Sequence, residues 1–129
     1  MSQNVVIRRK VGSTGAEIAV SDTNPLPVTD TTGVAATAIG DGRKTVTTAG
    51  SALQLLTAST PCKVVVVTAL LANTGLISVG GSTTVSSAGT ERGYILAAGD
   101  STAISISNVN LVYINSTVNS EGVSFRYQT

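Results

Sequence analysis

From Lys44 onward, short apolar runs rich in β-branched residues alternate with clusters of glycine, proline, asparagine and serine, at intervals of about 8 to 12 residues. That spacing is the signature of a sandwich or barrel. It predicts about eight strands, over Lys44 to Thr48, Ala52 to Leu56, Lys63 to Ala72, Leu76 to Val79, Tyr94 to Leu96, Ser101 to Ile106, Leu111 to Asn115 and Gly122 to Tyr127. Alternation is clearest in the last, where Val123, Phe125 and Tyr127 share one face and Ser124, Arg126 and Gln128 the other. The same period makes Ile104 with Ile106, Ile77 with Val79, and Leu53 with Leu55 inward pairs, so several strands supply one core.

Val64 to Val67, continued by Leu70 and Leu71, is apolar on both faces. Such a strand lies centrally between layers or is pressed against another subunit. One face is assigned to the core and the second to an interface. Asn73-Thr74-Gly75, Gly80-Gly81-Ser82, Ala98-Gly99-Asp100 and Ser120-Glu121-Gly122 supply turn residues that accept positive φ or bond their own backbone. Ala49-Gly50-Ser51, Ala88-Gly89-Thr90 and Ala98-Gly99-Asp100 read as one turn chemistry used three times, at spacings too irregular for a repeat architecture.

Residues 1–42 have a different texture, dominated by threonine, alanine, glycine and aspartate, with only Asn4 to Ile7 and Glu17 to Val20 as strand-like pieces. Within them Asn24-Pro25-Leu26-Pro27-Val28 carries two prolines that fix φ, remove donors and hold their neighbours extended. The division is therefore an extended N-terminal arm over 1–42 and an all-β domain over 43–129, a β-sandwich or jelly-roll. A disordered leader and an ordered arm fit the isolated monomer equally; in an assembly the arm is expected.

Charged residues make up 12% of the 129-residue chain against 42% hydrophobic ones, about half the charge of a solitary soluble domain. Low charge with high apolar content is the composition of a surface that partners cover. The formal net charge of +1 carries no basic footprint for nucleic acid, so no nucleic-acid partner is expected. The opening MSQNVVIRRK has no apolar segment after its basic residues and does not read as a secretory signal. The longest apolar run, Val64 to Ala72, falls well short of the roughly 20 residues of a membrane helix, so no membrane partner is expected either.

The search for chemistry finds little. There is no histidine to serve a serine or cysteine nucleophile, and Lys44 and Lys63 read as solvated lysines, not as the base of a serine-lysine pair. The seven acids are Glu17, Asp22, Asp30, Asp41, Glu91, Asp100 and Glu121, and most lie in turns or in the arm, where no sheet holds a carboxylate pair across a cleft. Gly40-Asp41-Gly42-Arg43-Lys44-Thr45 resembles a phosphate loop only superficially, lacking the leading glycine, and reads as a hinge between arm and sheet. Asn115-Ser116-Thr117 matches the glycosylation triplet by chance. Arg8, Arg9 and Lys10 fit an acidic patch on a partner or solvent equally, and nucleic acid less well. Cys62, the only cysteine, excludes an intrachain disulfide and reads as a small buried hydrophobe. No catalytic, cofactor-binding or metal-binding residue is assigned, and the chain is expected to be no enzyme.

Asn24-Pro25-Leu26-Pro27-Val28-Thr29, Thr48-Ala49-Gly50-Ser51-Ala52-Leu53-Gln54-Leu55, Ala72 to Ser82 and Gly99-Asp100-Ser101 together resemble the small β-rich virion proteins of tailed bacteriophages. The likeness spans most of the chain and points to head decoration, or cement, proteins. It implies a sandwich or jelly-roll that assembles as a homo-oligomer, a trimer in many cases. Such a protein sits on the capsid surface, where it bridges subunits of the major capsid protein. The resemblance carries over no catalytic residues. A tail, neck or fibre component shares the same text. A carbohydrate-binding host-attachment module is the reading from another class, with Tyr94, Tyr113, Phe125 and Tyr127 as the only stacking candidates.

Overall fold

A computed structural model describes residues Ala35–Thr129. The segments Asn4 to Ile7, Arg8 to Lys10, Glu17 to Val20 and Asn24 to Val28 lie outside the described residues. Eight strands follow in order: β1 (Ile39–Val46), β2 (Leu53–Gln54), β3 (Val64–Ala69), β4 (Ile77–Gly80), β5 (Tyr94–Leu96), β6 (Ser101–Ser105), β7 (Tyr113–Ser116) and β8 (Glu121–Gln128), with one 3-10 turn at Val109–Leu111. They form two four-stranded antiparallel sheets, ordered β1-β8-β3-β6 and β2-β7-β4-β5. First pairs with eighth, second with seventh, third with sixth and fourth with fifth. This is one long hairpin, tipped by the β4–β5 connection and rolled so that its pairs alternate between layers. The fold is the jelly-roll form of the sandwich.

Between the layers lie Val46, Leu55, Val65, Val67, Ala69, Ile77, Val79, Leu96, Val109, Val112, Ile114, Val123 and Phe125, all buried. Aliphatic side chains at every second position of a strand are what lets two pleated faces interdigitate. Leu56, Cys62, Ile104, Ile106 and Tyr127 pack against this core from its margin. The inward positions of β8 are the expected Val123, Phe125 and Tyr127, and Arg126 faces solvent.

Several boundaries differ from the sequence reading, among them those at β1, β3 and β8. Residues 39–42, assigned to the arm, belong to β1, so the domain includes them and Gly40-Asp41-Gly42 is strand, not hinge. Gly40 and Gly42 pair with Tyr127 and Phe125. A Cβ on Gly42 would meet the Phe125 ring at 2.8 Å, so the aromatic rings occupy the space the glycines leave and supply the apolar cover the strand itself lacks. β3 ends at Ala69 because Leu70 to Asn73 turns, the Asn73 amide donating to Leu70 carbonyl at 3.1 Å, and Leu71 is left 85% exposed. The Asn73 side chain then continues the ladder, its Nδ2 donating to Gly122 carbonyl (2.8 Å) and its Oδ1 accepting from Gly122 N–H (3.2 Å). Finally, Glu121, read as a turn residue, opens β8 one position before the expected Gly122, behind Ser120 at φ 66°.

The thrice-used turn is confirmed in the backbone. Gly50, Gly89 and Gly99 have φ of 88°, 86° and 87°. Each is third in a four-residue turn closed by an amide three residues on: Ser51 to Thr48 (3.1 Å), Thr90 to Ser87 (3.0 Å) and Asp100 to Ala97 (2.9 Å). A positive φ at the third position is the type II requirement that glycine meets without strain.

Glu121, only 8% exposed, ties the β3–β4 connection to β8. Its carboxylate accepts from Thr74 N–H, from Thr74 Oγ1 at 2.9 Å and from Gly75 N–H at 3.0 Å. Burial raises its pKa, but the bonds from Thr74 and Gly75 outweigh that and leave it below the usual carboxylate range. The ionised form is therefore favoured in the folded state. Its contribution is present above an unfolded pKa of about 4.3 and is lost as pH falls through the lower folded value. Glu121→Gln is expected to cost about 1–3 kcal/mol at pH 7. Its stability between pH 5 and 3 should fall less steeply than that of the parent in urea titrations; parallel curves would contradict the assignment.

Candidate functional site

The outer face of the β4-containing sheet is roofed by the connection between β4 and β5. Thr84 and Ser86, from that connection, are buried with Ser78 of β4 and Asn115 of β7. The Thr84 hydroxyl lies 2.7 Å from Arg92 carbonyl and 3.0 Å from the Ser78 hydroxyl. Asn115 Nδ2 donates to Thr84 carbonyl at 3.0 Å, and Val85 and Arg92 exchange backbone bonds of 3.1 and 2.8 Å. Asn115 is thus a buried structural group, inaccessible to glycosylation. Ser86 Oγ has no hydrogen-bond partner among the described residues.

Among the described residues, no connection covers the outer face of the other sheet. Its outward residues are Ile39, Asp41, Arg43 and Thr45 from β1, Ser124, Arg126 and Gln128 from β8, Val64, Val66 and Thr68 from β3, and Ser101, Ala103 and Ser105 from β6. Strand register sets them in rows: Asp41, Arg126, Val66 and Ala103 across one line, Arg43, Ser124, Thr68 and Ser101 across the next. Thr68 Oγ1 and Ser101 Oγ are bonded at 2.9 Å. An open depression of about 360 Å³ sits here, lined by Asp41, Arg43, Val66, Thr68, Ser124 and Arg126 with Gly42 and Phe125 beneath. Its floor is small and neutral, and its rim carries two guanidinium groups and one carboxylate. Val64 and Val66, the second apolar face read in the sequence, lie half-buried on this surface.

Other residues weighed for chemistry stand apart. Lys63 Nζ donates to Ala35 carbonyl at 2.9 Å, and among the described residues no hydrogen bond joins Lys44 or Lys63 to a serine. Asp100 Oδ2 accepts from Ala97 N–H at 3.0 Å and Glu91 from Gly89 N–H, each closing its own turn. With Glu121 bound to Thr74, Asp41 is the one described acid facing open surface at the depression. Among the described residues no group of three potential metal ligands comes together. Cys62 is partly buried, its Sγ donating to Ile106 carbonyl at 3.2 Å, and burial pushes its thiol pKa up, as befits a packing role. Phe125 and Tyr127 stack at 6.5 Å on the inward face, whereas Tyr94 on edge strand β5 is 59% exposed.

Sequence reasoning missed Asp41 and Arg43 as surface groups because their strand has glycines where an apolar signal is expected. The readable clue was a matched spacing: two glycines two apart and two aromatics two apart, complementary across a strand pair. Comparison with protein-family models, with curated proteins and with solved structures finds no match.

Proposed function

We propose that this chain is a virion structural protein of the tailed-phage type, a decoration or cement module that stabilises a head by docking on the major capsid protein. The observation that carries the reading is the asymmetry of the two sheets. One outer face is closed by its own connection; the other, uncovered among the described residues, is centred on valine, alanine, serine and threonine with Arg43, Arg126 and Asp41 at the rim. A neutral centre with a charged margin is the anatomy of a protein-docking patch, and many weak copies on a lattice gain avidity. Jelly-rolls are frequent among viral capsid domains, and this fold fits that role. On this reading the protein is no enzyme, binds no cofactor, acts as a homo-oligomer and resides on the capsid surface.

The test places a charge on the patch at an exposed position. Ala103→Glu should leave the melting curve within about 0.5 kcal/mol of the parent, yet weaken co-sedimentation with undecorated heads about tenfold or more, since a buried unpaired carboxylate costs at least that. Equal binding by parent and variant would remove this face from the docking role. A tail, neck or fibre position is distinguished by imaging the virion. A glycan-binding reading rests on exposed Tyr94 beside Ile95, 37% exposed, and would displace the first if glycan hits vanished with Tyr94→Ala.

A further inference from the structure

β1 is an edge strand; among the described residues it pairs only with β8. Leu70 N–H donates to Gly122 carbonyl at 3.1 Å, which sets the phase of the β3–β8 ladder. Gly122, Ser124, Arg126 and Gln128 turn their backbone groups toward β3, and Val123, Phe125 and Tyr127 turn theirs toward Lys44, Gly42 and Gly40 of β1. The N–H and C=O groups of Ile39, Asp41, Arg43 and Thr45 consequently point off the edge. The side chains of these four residues are exposed on the outer face, Ile39 to 65%.

We infer that this edge pairs antiparallel with β1 of a second copy, about a two-fold axis at Gly42. Only outward-directed residues can bond across such a junction, so the register moves in steps of two. One register sets Asp41 against Asp41 of the second copy, and another sets Arg43 against Arg43. The register between them sets Asp41 against Arg43 and Arg43 against Asp41, with exposed Ile39 against Thr45. Opposite charges directly across a strand pair attract and like charges repel, so the Asp-Gly-Arg text selects one alignment. On the inner face Lys44 then lies opposite Gly40, which presents no side chain to obstruct it.

The other edges lack this specification. β2 and β5 are two and three residues long. The β6 sequence Ser-Thr-Ala-Ile-Ser carries no charge to choose a register. Pairing through β1 makes one eight-stranded sheet and sets the two outer faces side by side, an isologous contact. The inference goes beyond the docking role proposed above and does not depend on it.

The test is light scattering over a dilution series of the full chain. The parent is expected at twice the 12.9 kDa chain mass. Asp41→Arg and Arg43→Asp, each checked for a native circular-dichroism melt, should each raise the dissociation constant about tenfold or more, because both cross-pairs become repulsive. An equimolar mixture of the two variants should regain the dimer, since two arginines of one chain then face two aspartates of the other. A parent that is monomeric or trimeric, single variants that dimerise as the parent does, or folded variants whose mixture stays monomeric would each overturn the proposal.

Discussion

Phe125→Asp is expected to yield a chain with no cooperative thermal transition, recovered mainly in the insoluble fraction. Phe125 is 4% exposed, its ring lies over Gly42 and it stacks on Tyr127 at 6.5 Å. Losing the ring forfeits about 2–3 kcal/mol of burial, and placing a carboxylate there without a partner adds several more. Together these approach the 5–15 kcal/mol that holds a typical domain folded. The damage also spreads, because Gly42 has no side chain of its own and β1 loses its cover. Phe125→Leu separates size from charge: it should fold with a stability lower by about 1–2 kcal/mol. Solubility with a parent-like circular-dichroism melt for Phe125→Asp would mean that β8 presents its other face to the core.

Why Phe125 was legible and Gly42 was not follows from how each contributes. Val123, Phe125 and Tyr127 announce a buried face because burial is a property of their own side chains, and period-two alternation is a local signal. The β5 bounds, Tyr94–Leu96, were legible for a similar reason: Gly93 on one side and the Ala97 to Asp100 turn on the other mark them. The inward face of β1 is built from residues that bury nothing themselves, so its membership in the sheet depends on β8, some 80 positions away in sequence by the Gly42 to Phe125 pairing. The strand expected over Leu111 to Asn115 was shifted for another non-local reason. Asn108 Oδ1 accepts from Asn110 N–H (3.1 Å) and from Thr60 N–H (2.8 Å), which holds Val109–Leu111 in a 3-10 turn and delays β7 to Tyr113. Asparagine competing with strand pairing through its own side chain is a known turn device, but its distant partner Thr60 is invisible in the local text.

The candidate site divides along the same line. The valines of β3 showed an apolar second face in the sequence, because a run of four β-branched residues leaves no polar side. Which sheet would be roofed could not be read, since it turns on Thr84 and Ser86 of a connection and on Ser78 and Asn115 of strands, small polar residues that look solvent-facing until they are buried together. The charges at the rim were visible as residues but not as neighbours: Asp41, Arg43 and Arg126 meet only through the β1–β8 register.

That register is most sensitive at Gly122. A Cβ there would lie 2.2 Å from the Lys44 carbonyl oxygen and 3.0 Å from Thr45 Cα, both backbone atoms that no rotamer change can move aside. Gly122→Ala therefore forces β1 away from β8 where Ser120 N–H bonds Val46 carbonyl at 2.8 Å, and loosens the Leu70 and Asn73 bonds to the Gly122 carbonyl. A cost of about 3 kcal/mol or more is expected, lowering the melting temperature by roughly 10–20 °C in a domain of this size. Two further alanine substitutions isolate the cause. Gly50, at φ 88° with nothing within 4 Å of a Cβ, tests conformation alone and should cost about 1 kcal/mol. Gly81, open and without a positive φ, should be neutral or gain a few tenths of a kcal/mol through the unfolded chain. The order Gly122, Gly50, Gly81 in calorimetric melts follows if backbone contact dominates. Equal losses at Gly122 and Gly50 would instead mean that β1 yields easily, and an edge that yields could not hold Asp41 and Arg43 in the fixed alignment that selective pairing requires.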